Sequence, residues 1–263
     1  MHPLRAGLSM LANRLRRRAP VIHLYCLCWN EERMLPFFFR HYDPLITRYF
    51  VFDNGSTDGS LAILAAHPKV TVRHFGTEDG SLIGAAPAFY ETVWHPSRGV
   101  ADWVIIVDID EHLHHPEGLQ YFTACWRSGV TVIPAEGYEM VAAAFPDAGI
   151  QLSTTIRSGV RKQLMDKVCV FRPDAIRRIG FEVGRHKAAP RGRVVLPPHL
   201  ALKLLHYKFL SESYVIARFA EMRDRIPAAE RDRGWARHYF KDPEQIAAAH
   251  RKLMAMAKPV ESL

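Results

Sequence analysis

The chain has 263 residues, 48% of them hydrophobic and 24% charged, which supplies the core of one large α/β domain or two small ones and excludes a disordered segment. A formal net charge of +8 and a pI near 9.5 point to anionic company: nucleic acid, an anionic membrane surface or phosphorylated small molecules. No apolar run approaches the roughly 18 residues of a membrane span, and residues 1–20 lack the apolar region of a secretory signal, so a cytoplasmic location is expected.

Arg5, Arg14, Arg16, Arg17 and Arg18 interleave with Leu4, Leu8, Leu11 and Leu15 at helical spacing. Residues 1–20 therefore read either as a basic amphipathic arm able to lie on an anionic bilayer or as a solvated arm. Residues 21–27, VIHLYCL, predict a strand; Asn30, Glu31 and Glu32 follow in a polar turn, and residues 34–42 predict a helix. A second strand at 49–52 ends in Asp53-Asn54-Gly55-Ser56-Thr57-Asp58-Gly59-Ser60, a turn expected to bend sharply and expose several N–H groups. A short helix at 61–66, a strand at 70–73, a helix at 87–95 and a strand at 103–107 complete an alternation that predicts a parallel sheet. Cys26 and Cys28 lie in the first strand and read as small buried hydrophobes. With Cys125 and Cys169 they form neither a zinc pattern nor a disulfide framework.

The apolar run at 104–107 ends abruptly in Asp108, Asp110 and Glu111. On an extended backbone, residues two apart point the same way, so Asp108 and Asp110 are expected to face one ligand while Glu111 turns aside. Two carboxylates this close call for a divalent cation with positions to spare for phosphate. The bland alternative is a pair of solvated turn aspartates before a helix that starts near Pro116. Parallel sheets bind ligands beyond the carboxyl ends of their strands, and three polar clusters, Asn30-Glu31, Asp53-Asn54 and Asp108-Asp110, fall there. No GxGxxG follows the first strand, which argues against a dinucleotide site.

The pattern then loosens. Residues 136–167 read as a long irregular stretch, an acceptor loop or lid. A strand is expected at 167–171, turns at 184–187 and 190–192, and an apolar run at 200–205 that closes in His206-Tyr207-Lys208. Residues 213–225 predict a helix with Arg218, Arg223 and Arg225 exposed, and residues 243–257 a last amphipathic helix.

Cys28-Trp29-Asn30-Glu31-Glu32, the turn at 53–60 and Asp108-Ile109-Asp110-Glu111, in this order and spacing, resemble the family 2 glycosyltransferases with an A-type nucleotide-sugar fold. The likeness spans roughly residues 21–225, and Gly184-Arg185-His186 with residues 204–208 is similar to a poorly characterised bacterial subgroup. The resemblance implies an α/β fold: one Rossmann-like domain with a central, mostly parallel sheet flanked by helices. It divides the chain into a nucleotide-binding half (21–115), an acceptor half (116–225) and a C-terminal helical tail (226–263). It implies metal-dependent, inverting transfer of a sugar from a UDP-linked donor to a hydroxyl of a glycan, lipid or protein, such as one of the cell envelope, with Mn2+ or Mg2+ as cofactor and no nucleic-acid partner. By the same resemblance Asp53 reads the nucleobase, Asp108 binds ribose or metal, Asp110 holds the metal on the diphosphate, and Asn30 and Glu31 line the nucleotide pocket. His206 would complete the metal shell, with Lys208 or Arg185 near the phosphates. The general base stays open among Glu136, Glu139, Asp166 and His186, with Asp166 and His186 favoured because they flank the strand at 167–171.

Three other readings compete. A haloacid-dehalogenase-type phosphatase also carries DxD after a strand, but His112 stands where a small hydroxyl residue is expected and three strands precede the motif. A nucleotidyltransferase would need an early Gly-rich loop bearing Lys or Arg. A nucleic-acid-binding module would spread its basic residues among exposed aromatics, whereas much of the excess charge sits in the first eighteen residues.

Overall fold

The computed structural model of the protein describes residues 18–77, 82–261 and 263. Apart from its last three residues, the basic arm lies outside the described residues. The first half alternates as its sequence dictates: β1 (Ile22–Cys28), α1 (Leu35–Tyr42), β2 (Arg48–Asp53), α2 (Ser60–Ala66), β3 (Val70–His74), α3 (Leu82–Thr92) and β4 (Trp103–Ile106). These strands lie side by side in the order β3-β2-β1-β4, all parallel. β1, apolar but for the buried His23, and β4, apolar throughout, are central and buried on both faces. α1 packs Phe37, Phe38 and Tyr42 against one face, and Tyr90 and Trp94 cover the other. α3 begins five residues before the expected start and takes Pro87 inside it, because packing of Phe89 and Tyr90 outweighs the hydrogen bond that proline removes.

The second half contains β5 (Glu111–His114), α4 (Leu119–Arg127), β6 (Val132–Val141), α5 (Leu152–Thr155), β7 (Ser158–Arg161) and β8 (Lys167–Phe171). It continues with β9 (Ile176–Arg178), β10 (Arg191–Gly192), β11 (Lys203–Phe209), α6 (Glu212–Arg225), α7 (Ala228–Asp232), α8 (Pro243–Met256) and β12 (Lys258–Pro259). Beyond β4 the sheet runs β8-β6-β7-β12 with antiparallel pairing, and β11 lies between β5 and β6. The result is a mixed α/β fold whose sheet is parallel from β3 to β4. The four cysteines are buried thiols, as their strand context implied for Cys26 and Cys28.

The stretch 136–167 is not the irregular loop expected. The upper half of β6, all of β7 and a 3₁₀ turn at Gln163–Met165 occupy much of it. Pro134 and Gly137 disguised the strand. Pro134 sits at a register shift against β8, and Gly137 lets the Met165 backbone approach so closely that a Cβ would clash with it.

Candidate active site

Where β1 and β2 end, their polar turns fasten to each other. Asn30, at a left-handed φ of 49°, accepts the Thr57 N–H on Oδ1 at 2.7 Å, and the Glu31 N–H donates to Ser60 Oγ at 2.7 Å. Glu32 Oε2 accepts from Gly59 N at 2.7 Å, and Asp58 Oδ1 from Ser60 N at 2.9 Å. The Asp53 carboxylate is buried and accepts the N–H groups of Gly55 and Ser56 at 3.0 and 3.2 Å. So the N–H groups expected to be exposed in this turn are already held by neighbouring side chains, because two acidic turns on adjacent parallel strands satisfy each other's donors. Asn54, the next residue, faces the cleft beside Glu31, whereas Asn30 lines a separate small hollow.

The DxD segment also departs from the extended geometry expected. β4 stops at Ile106, a turn covers Ile109 and Asp110, and β5 starts at Glu111, so each carboxylate has its own direction. Asp108 Oδ2 lies 2.6 Å from the Arg185 guanidinium. Asp110 Oδ2 lies 3.2 Å from His206 Nε2, and His206 Nδ1 lies 2.8 Å from Glu139 Oε1. Burial by itself lowers the His206 pKa, but the flanking carboxylates of Glu139 and Asp110 overcome it and push it well up. Register explains the grouping: β11 continues three residues past His206, which lies opposite Glu111 of β5 and Glu139 of β6.

Glu111 does turn aside, into the protein. It is buried against the Lys167 ammonium, with Arg185 3.2 Å away. Burial opposes ionisation, yet the two cations hold its carboxyl far below the usual carboxylate range. Arg185 is itself buried, sits at a left-handed φ of 57° and donates to the Ile106 carbonyl at 3.0 Å. A non-glycine residue in that strained region, fastened from three sides, clamps the end of β4.

Two adjoining cavities open on this rim. The smaller, about 240 Å³, is bounded by Trp29, Glu31, Asn54, Asp110, Arg218 and Arg225. The larger, about 730 Å³, is bounded by Glu139, Lys167, His186, Trp235, His238 and Lys241. Asp108, His206, Lys208, Met222 and Tyr239 line both. Of the arginines expected to be exposed on α6, only Arg223 is. Arg218 donates to the Trp29 and Asn30 carbonyls, both at 2.9 Å, and pairs with Glu31 at 2.5 Å. Arg225 lies over the Trp29 ring, 4.0 Å from its centroid, and donates to Asn54 Oδ1. The two arginines are seven residues apart, hence on one helix face, a signal the sequence contained. Burial, with help from Arg218, lowers the Arg225 pKa to about 10.

The other base candidates separate. His186 is on the wall of the larger cavity. Asp166 lines neither cavity: its carboxylate accepts from Gly137 N at 2.8 Å and pairs with Arg161 at 2.7 Å, and Glu136 leans toward the same arginine at 3.7 Å. Burial and the neighbouring carboxylates Asp110 and Asp108 push the Glu31 carboxyl up to about 8 against the pull of Arg218. That crowding of acids is what a divalent cation relieves. Among the described residues no three His, Cys, Asp or Glu side chains are grouped to hold a metal. Asp110 suits a cation that takes further ligands from phosphate and water, and His206 beside it can join only on losing the proton its flanking carboxylates hold.

No protein-family model matches the chain, and no curated protein does. Among solved structures it is similar to a 4-diphosphocytidyl-2C-methyl-D-erythritol synthase, 10% identical over 60% of this chain and 77% of that one, with a TM-score of 0.33. It is also similar to the glucosyl-3-phosphoglycerate synthase of Mycobacterium tuberculosis in complex with uridine diphosphate: 15% identity, 65% of this chain, 64% of that one, TM-score 0.37. The chain thus spans just under two thirds of that synthase. A mycobacterial protein, 13% identical over 82% of this chain and 78% of its own, also has a TM-score of 0.37.

Proposed function

We propose that the protein is a glycosyltransferase that moves a sugar from a nucleoside diphosphate donor to a hydroxyl acceptor. The observation that carries this reading is the pair of cavities meeting at Asp108, His206 and Lys208, since group transfer needs two substrates to present their reacting atoms across one boundary. The smaller cavity suits the nucleotide. Arg218, Arg225 and Lys208 are cations for a diphosphate, Trp29 offers an aromatic face, and Asp108, nearly half exposed, is free on one side for a ribose hydroxyl. Asp110 and His206 are the residues that would hold Mn2+ or Mg2+, which when bound neutralises charge on the leaving diphosphate. A phosphatase would need Asp108 unencumbered as nucleophile, but Arg185 pairs with it.

The test is a thermal-shift panel of nucleoside diphosphates with and without manganese, since a ligand that binds only the folded chain raises its melting temperature. UDP is expected to give the largest shift. No shift from any nucleotide overturns the proposal. Arg225→Ala is expected to weaken UDP binding about 10- to 100-fold by isothermal calorimetry, the cost of one hydrogen bond to a charged group. Undiminished affinity would remove Arg225 from the diphosphate site.

His186 serves as general base in this reading. It lines the larger cavity, and burial with the Lys167 ammonium lowers its pKa, which leaves the ring neutral and able to accept a proton at neutral pH. The rim carboxylates are engaged with cations or N–H groups, so single displacement with inversion follows. His186→Ala should reduce turnover about 10²- to 10⁴-fold with donor affinity unchanged. Proton NMR of the product should show a β-linkage from an α-linked donor, and an α-linked product rules out a single base.

A further inference from the structure

The strands β1, β4 and β6 begin at the pole opposite the rim, where β8 ends, and backbone contacts join the segments just outside these ends. The Val195 carbonyl accepts the N–H groups of Thr131 and Val132 at 2.8 and 3.2 Å, and the Arg172 N–H donates to Thr131 at 2.8 Å. Arg193 donates through its N–H to the Ala175 carbonyl at 2.9 Å, and the Gly99 N–H donates to Asp174 Oδ1 at 2.8 Å. Arg18 reaches the same end, pairing with Asp102 just before β4.

The surface so assembled is unusual in both apolar and charged content. Val100, Val194, Leu196 and Leu200 are 61, 41, 52 and 57% exposed, large aliphatic side chains left in water on one pole. Around them the two-stranded ribbon β9-β10 and its flanks carry Arg172, Arg177, Arg178, Arg191 and Arg193. The local acids are taken: Asp102 by Arg18, Asp174 by the Gly99 N–H, and Glu91 by Arg178 at 3.7 Å. Burial, and after it the neighbouring Arg193, lowers the Arg172 pKa.

We propose that this pole docks on an anionic lipid bilayer, with Val194, Leu196 and Leu200 entering the interface and the surrounding arginines meeting headgroup phosphates. Aliphatic tips inside a ring of guanidinium groups match the layered chemistry of such a surface, apolar below and anionic above. Residues 1–17, rich in arginine and leucine, precede Arg18 in the sequence and carry the charge for a second signal, and stable peripheral binding takes two signals. Nucleic acid fits less well, since the exposed loop offers mainly aliphatic side chains, and His199 is its one ring for bases to stack on.

The experiment is sedimentation of the full chain with phosphatidylcholine vesicles, with and without phosphatidylserine, at low and high salt. The parent is expected to sediment only with the anionic vesicles, less so at high salt. Leu196→Glu with Leu200→Glu, and separately Arg191→Ala with Arg193→Ala, should each lower the partition coefficient about tenfold or more. All four positions are exposed, so melting temperatures should match the parent, and the arginine pair keeps the test if the leucine pair does not fold. Deleting residues 1–17 from the leucine variant should remove what binding is left. The proposal fails if the parent ignores anionic vesicles, or if both pairs of substitutions leave partitioning unchanged. It fails equally if the parent self-associates through Leu196 and Leu200 without binding lipid, or binds duplex DNA and not vesicles.

Discussion

Asp110→Asn is expected to abolish manganese-dependent binding of UDP and to cut turnover by about 10³-fold or more, the scale on which a bound cation stabilises developing charge. The substitution keeps the shape of the side chain and removes its charge from a position 3.2 Å from His206 Nε2. Binding without metal should survive, because Arg218, Arg225 and Lys208 are untouched. Calorimetry with manganese and then with EDTA separates the two contributions. A variant that binds the manganese complex as tightly as the parent shows that Asp110 is not a ligand.

Glu111→Gln should act on the fold. Glu111 is the acid between Lys167 and Arg185, and without it two buried cations lie close together with Asp108 as the remaining partner of one. Removing one member of a buried ion pair costs about 3–5 kcal/mol, and the melting temperature should fall by on the order of 10 °C. Because its folded pKa is held far below the unfolded value of 4.5, the stability Glu111 contributes is fully present above about pH 4.5 and is lost as pH falls through the acid range. Denaturant melts of parent and variant should therefore converge toward acid pH. A constant difference down to pH 3 would place the effect in packing and not in charge.

The first half of the chain was legible because its signals are local. β1 and β4 are mainly apolar runs, each followed within three residues by an acid, and parallel strands put those residues on one rim without further information. The same rule located Glu31, Asn54, Asp108 and Asp110 beside one cavity, and His206 joined them from the far strand. Local reading failed where partners are distant in the chain. Lys167 meets Glu111 across 56 residues and Arg185 meets it across 74, and no spacing encodes either contact. Asp53 and Asp166 hold backbone N–H groups for a related reason: an acid in a turn next to free backbone donors satisfies the turn. Arg218 and Arg225 were within reach, since their seven-residue spacing marks one face of α6, but a charged face was taken for a solvated one.

The length of the strands has an electrostatic consequence. β1 runs from the arginine-ringed pole to the rim in seven residues, about 23 Å at the usual rise of a strand. At physiological ionic strength the potential of a charged surface decays over about 8 Å. A bilayer negative enough to hold the pole is thus screened out before it reaches the rim, where a negatively charged sugar nucleotide would otherwise be depleted. With the pole docked and the donor bound as proposed, the rim samples the bulk pool of donor, and the dissociation constant for UDP should be the same on vesicles as in free solution.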